Sequence, residues 1–202
     1  MTVRNAEIMR ETLIQAAFEE IYAHGFQAAS MNEIIKRAGA TKGAMYHHFE
    51  SKVELGYAVI DQVIKPLMYE RWLKPLQQSE NPIDALTACM TDLINNAPEE
   101  AVIHGCPLGN LAHEMSALDE GFRLKIRNIH EIWQMELTRL MTEGQQDGLI
   151  RKDIDPESVG CFIIASIEGA IGIAKNSKDE KTFIRCGEQL IYYLDSLRAS
   201  QN

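Results

Sequence analysis

The stretch Ala38–Lys52, "AGATKGAMYHHFESK", decides how this 202-residue chain reads. It packs Lys42, Gly43, Tyr46, His47 and His48 onto one short helix-sized segment of a chain whose formal net charge is -9. A glycine inside a helix costs ~1 kcal/mol relative to alanine. Keeping Gly43 between Lys42 and Ala44 therefore implies that the backbone must be bare at that point. The charged residues from Lys36 to Lys52 are Lys36, Arg37, Lys42, Glu50 and Lys52, so positive charge is concentrated here while the rest of the chain carries the acid.

Outward from this stretch, apolar residues recur at three- and four-residue steps, which predicts an all-α chain. A first amphipathic helix over about 7–24 carries Ile14, Ala17, Phe18 and Ile21 on one stripe and stops at Gly25. Ser30 and Glu33 form a capping box opening a second helix, which Gly39 ends. Thr41 caps a third short helix closed by Phe49. Ser51 and Glu54 cap a longer one to about Leu73, with a kink expected at Pro66.

Two short helices joined by a glycine turn, with another packed beneath, are the parts of a helix-turn-helix, whose second helix enters the major groove. On that reading Thr41 and the neighbouring amides meet a phosphate, and Lys42 supplies a cation for phosphate or a guanine edge. Gly43 lets the helix approach closely. Tyr46 and His47 lie one turn on, facing the same way. Met45 and Phe49 point inward to Ile34, Ile35 and the first helix, and Lys52 is placed for a flanking phosphate. Arg4 and Arg10 are further candidates for phosphate, or are simply solvated.

The remainder predicts helices from Pro82 to about Asn95, about 119–144, Pro156 to about Lys175 and about 179–199, with Asn81 and Asp155 as caps. The start "MTVRNAEIMR" shows no secretory signal. The longest apolar run, Cys161–Ala174, carries Glu168 and is too short to span a bilayer, so a soluble, cytoplasmic protein is expected. Cys89, Cys106, Cys161 and Cys186 form no CxxC pair and read as reduced thiols.

Residues 25–55 resemble the DNA-binding signature of the tetracycline-repressor (TetR) family. The resemblance is carried by Gly25-Phe26, Ser30-Met31, Ile34, Ala38-Gly39, Thr41-Lys42-Gly43, Tyr46-His47-His48-Phe49, Lys52 and Leu55. Ala40 and Met45 depart from the usual pattern at positions that bear on packing. The resemblance implies an N-terminal DNA-binding domain over 1–55 (motif 30–49), with Ser30 and Met31 joining the contacts just named. It further implies a helical effector-binding and dimerisation domain over 56–202, about nine helices in all. The homodimer would be a repressor reading a palindromic double-stranded operator and released by a small-molecule inducer, with no cofactor and no membrane.

The last two helices would form a four-helix dimer interface, for which Ile163, Ile167, Gly169, Ala170, Leu190, Tyr193, Leu194 and Leu197 are the candidates. In regulators of this resemblance the effector cavity lies between the middle helices, here Met90, Leu93, Cys106, Leu108, Phe122, Ile129, Trp133 and Leu137. The segment Ile103–Met115 also looks like a branch bearing a Gly-Cys-x-Leu sensor element. Cys106 would then be a redox-responsive thiol activated by His104 or Lys175. Two other readings use the same region: a Cys106-dependent enzyme with His104 or His113 as base, and a metal site from His104, Cys106 and His113.

Overall fold

The computed structural model describes residues 3–96 and 99–199. Among them there is no strand, only one isolated bridge between Ile150 and Arg198, so the all-α expectation stands. The helices are α1 (Val3–His24), α2 (Met31–Arg37), α3 (Lys42–His48), α4 (residues 52–77), α5 (Pro82–Asn96), α6 (Glu99–His104), α7 (Pro107–Met115), α8 (Glu120–Gln146), α9 (Pro156–Ser177) and α10 (Glu180–Ser196). The Arg4 side chain lies outside the described part.

Pro66 does not break α4. The helix widens into π turns over Ile60–Ile64 and Tyr69–Leu73, each followed at once by a Lys-Pro pair, Lys65-Pro66 and Lys74-Pro75. The lysine N–H closes each wide turn, Lys65 on the Ile60 carbonyl and Lys74 on the Tyr69 carbonyl. A proline ring collides with the carbonyl four residues back and offers no N–H of its own. A π turn just ahead of it accommodates both defects, so the helix runs on to Gln77.

The chain divides into two compact units, Met1–Leu67 with Asn110–Arg127, and Met68–Gly109 with Asn128–Asn202. The first is therefore larger than the 1–55 segment. Its core joins Leu13, Ile14, Ala17 and Ile21 of α1 with Ile34, Met45, Phe49, Leu55 and Val59, all buried. Full burial of such side chains contributes ~1.5–3 kcal/mol each. Phe122, at the start of α8, belongs to this unit because its ring packs on Phe26 and Tyr57, with centroids 4.6 and 5.1 Å away. Gly56 makes that possible: a Cβ there would lie 2.6 Å from both Phe122 Cζ and Phe26 Cε2.

In the second unit α10 packs against α9 and α5. Gly187 brings α10 so close to α5 that an added Cβ would sit 2.7 Å from Ile94 Cδ1. Trp72 stacks on Trp133 with centroids 5.1 Å apart. The 22-residue α9 is longer than the apolar run suggests and, by length and composition, could cross a membrane. Its Ile163, Ile167, Ala170 and Ala174 are nevertheless buried in the protein, and Ala170 and Ala174 share a core cluster with Phe183 of α10.

Candidate nucleic-acid interface

Ser30 caps α2, its Oγ accepting from the Glu33 N–H at 3.4 Å. The capping box is only half made, because the Ser30 N–H donates to Glu20 Oε1 at 3.1 Å instead of to Glu33. Glu20, 4 % exposed, also faces Arg37, whose guanidinium pairs with Glu19 at 2.9 Å. Gly39 turns the chain at φ +62 with nothing near its Cβ position, so its requirement is conformational.

Thr41 caps α3, accepting from the Ala44 N–H at 3.1 Å. Its hydroxyl proton remains available to an outside acceptor. Met45 and Phe49 are buried, which fixes the rotation of α3 and turns Thr41, Lys42, Gly43, Tyr46 and His47 outward, all exposed. Gly43 has an ordinary helical φ, and an added Cβ would meet only Thr41 Oγ1, at 3.9 Å. Nothing inside the protein requires a glycine here. The bare backbone faces outward, where a phosphate chain can lie against it.

His47 and His48 meet edge to face at 5.3 Å. Burial, then His47, then Arg10 push the His48 ring below its ordinary pKa of 6.5, so it is neutral at pH 7. Arg10 lies over the Phe49 ring at 5.1 Å and donates to Gln62 Oε1 at 2.8 Å, which places its charge beside α3.

Met31 is half-buried at the start of α2, and the Ser30 oxygen accepts its cap bond as that of Thr41 does, which leaves its hydroxyl proton to donate outward. One expectation looks different in the structure. Lys52 does not stand free for a phosphate: its Nζ donates to the Gln27 carbonyl at 3.0 Å and lies 5.0 Å from the Phe26 ring centroid. Burial lowers its pKa, opposed by Glu114 and Glu20. Glu114 was not legible as a partner of this turn, because its contacts are 87 and 88 residues away in the chain.

In the second unit, Met90, Leu108, Ile129, Trp133 and Leu137 are buried, and Leu93 is half-buried against the Ala170–Phe183 cluster; Phe122 belongs to the first unit. The Trp133 Nε1 proton is buried with no acceptor among the described residues. Cys106 is half-buried, and its sulfur accepts from the Gly109 N–H at 3.5 Å. The charge that acts on it is Glu168, not a cation, so burial and that carboxylate both push the thiol well above its ordinary range. This is the reverse of what a reactive thiol needs. Among the described residues no three His, Cys, Asp or Glu side chains are grouped to hold a metal ion.

Of the interface candidates, Ile163, Ile167, Ala170, Leu190, Leu194 and Leu197 are already buried within the single chain and have little area left for a second copy. The face left open on α9 and α10 is a groove that includes Phe162, Gly169, Ile173 and Tyr193, with Phe162 and Tyr193 in edge-to-face contact at 4.7 Å. Cβ atoms at Gly169 and Gly172 would meet nothing within 4 Å.

Comparison with known proteins gives the same picture. The N-terminal model of the bacterial regulatory proteins of the TetR family matches residues 13–59, and the tetracyclin repressor-like C-terminal domain matches residues 82–189. An uncharacterized HTH-type transcriptional regulator in the lacX 3' region of Lactococcus lactis is 30% identical over 179 residues, 89% of each chain. The HTH-type transcriptional repressor DhaR of a Mycobacterium species is 28% identical, covering 81% of this chain and 80% of its own. A TetR regulator from Chloroflexus aurantiacus superposes with a TM-score of 0.87 at 24% identity, covering 98% of this chain and all of the other. With both family models matching and a relative 30% identical over 89% of the chain, the chain belongs to the TetR family of transcriptional regulators.

Proposed function

We propose that this regulator is a repressor that holds a palindromic operator as a homodimer and lets go when a small molecule binds its second unit. One observation carries the DNA contact: α3 buries Met45 and Phe49 and turns out an exposed face of Thr41, Lys42, Gly43, Tyr46 and His47. Thr41, Lys42 and the amides beside Gly43 bind phosphate, and Tyr46 and His47 reach base edges. Ser30 supports this face by capping α2, and Lys52 by holding the turn ahead of it. As a DNA-binding regulator the protein acts in the cytoplasm.

The second copy docks on the open groove of α9 and α10, where Gly169 admits close approach and Phe162 and Ile173 supply apolar area. Such a contact explains why α9 is more apolar than its burial in one chain requires. The effector enters among Met90, Leu108, Trp133 and Leu137. A ligand with an acceptor for the Trp133 N–H relieves a buried donor whose isolation costs ~1–3 kcal/mol. The test is a screen of small molecules for release of the protein from a bound duplex. Hits that contain an acceptor and lose potency against Trp133→Phe support this placement. Potency unchanged by that substitution moves the site elsewhere.

A further inference from the structure

We propose that Glu114 is a positioning residue for operator binding: its carboxylate, from the end of α7, grips the turn between α1 and α2 and so sets where the reading helices stand. The turn begins at Gly25, φ +83, which no L side chain adopts cheaply. The next two amides point the same way. Phe26 N–H donates to Glu114 Oε2 and Gln27 N–H to Glu114 Oε1, both at 2.8 Å. Consecutive backbone N–H groups of this kind make a concave anion site, and here a carboxylate from the chain itself fills it. Charge-assisted bonds of this length are about twice as strong as neutral ones.

Two further features show that the fit is built. An added Cβ at Gly25 would lie 3.0 Å from Glu114 Oε2 and 3.1 Å from Oε1, so the turn is bare on the side the carboxylate occupies. Lys52 closes the same turn from another side, donating to the Gln27 carbonyl at 3.0 Å, with Glu114 the larger of the charges that favour its ammonium form. The turn is thus tied to α1 through Glu20 and Ser30, to α4 through Lys52, and to α7 through Glu114.

The turn fixes where α2 begins, and α2 leads through the Gly39 turn into α3. A displacement of the end of α7 therefore moves the start of α2 rather than slipping past it. Glu114 touches no base or phosphate; it acts through the turn. The inference rests on the DNA-contact reading of α3, and the wild-type protein's own binding to the selected duplex tells failure of that reading apart from failure of this one.

The experiment compares Glu114→Gln with the wild-type protein and with His113→Ala, an exposed neighbour on α7. The amide side chain keeps shape and volume but offers one acceptor oxygen to two N–H groups and turns a donor toward the other. The probe is a palindromic duplex recovered from a random library with the wild-type protein. The expected result is a loss of about tenfold in affinity for Glu114→Gln, by analogy with the loss of a charge-assisted bond. The slope of log K against log salt should not change, because no phosphate contact is removed. By NMR, the Phe26 and Gln27 amides should exchange faster while the buried α1 amides stay protected, and His113→Ala should match wild type throughout. Wild-type affinity and unchanged Phe26 and Gln27 protection in Glu114→Gln would overturn the proposal.

Discussion

Gly43→Ala separates what the fold wants from what DNA binding wants. Within the protein the new methyl group meets only Thr41 Oγ1, at the ordinary contact distance of 3.9 Å, and φ is normal for a helix. Replacing an exposed helical glycine by alanine stabilises a helix by up to ~1 kcal/mol, and near the first turn by about half that. For a chain of 202 residues this raises the thermal midpoint by about 1–2 °C. On DNA the sign reverses. A Cβ standing ~1.5 Å off the backbone holds α3 away from the phosphate, lengthening the amide contacts at Lys42 and Gly43. Loss of one such contact costs about 1.4 kcal/mol, or about tenfold in affinity. Thermal unfolding and fluorescence anisotropy on a selected duplex read the two effects in one preparation. A variant that is more stable and binds DNA as tightly as the parent would refute the reasoning, since the bare backbone would then serve neither fold nor contact.

Gly56→Ala should destabilise by about 1–3 kcal/mol in urea unfolding, because its Cβ would press at 2.6 Å on two packed aromatic rings that cannot both retreat. His48 has a folded pKa below its unfolded value of 6.5, so its contribution to stability is complete above about pH 6.5 and is lost as pH falls through the folded value. His48→Gln should flatten that acid limb in denaturation measured from pH 8 to 5. Ile173→Glu puts a carboxylate on the open groove of α9 and should halve the mass seen by light scattering with helical content kept. Iodoacetamide should alkylate Cys106 more than tenfold slower than a free cysteine at pH 7.5, because burial and Glu168 hold the thiol protonated. A rate equal to that of free cysteine would restore the sensor reading.

Helix α3 was legible because its information is local. Ser30, Gly39, Thr41 and Ser51 punctuate the chain within a few residues of what they control, and the periodicity of Met45 and Phe49 fixes the outward face. The hold on the turn was not legible, since Glu114 and Gln27 are 87 residues apart and a lone glutamate on a helix carries no mark of its partner. Phe122 shows the same limit. Its position on an apolar stripe predicts burial but not which unit receives it, and Phe26 and Tyr57 decide that. The surroundings of Cys106 were not legible for a related reason: its pKa depends on groups brought near by the fold, and Glu168, 62 residues away in the chain, raises it. The interface residues were chosen by hydrophobicity, whereas a second copy needs apolar area left exposed, as at Phe162 and Ile173.

The central claim is that the outward face of α3 reads DNA in pairs. Selection of the purified protein against random-sequence duplexes, followed by sequencing, tests it most directly. The account predicts a palindrome with two half-sites, bound with a steep salt dependence by a protein of twice the monomer mass. Enrichment of no sequence, with Lys42→Ala and Tyr46→Ala indistinguishable from the parent in residual binding, would contradict it.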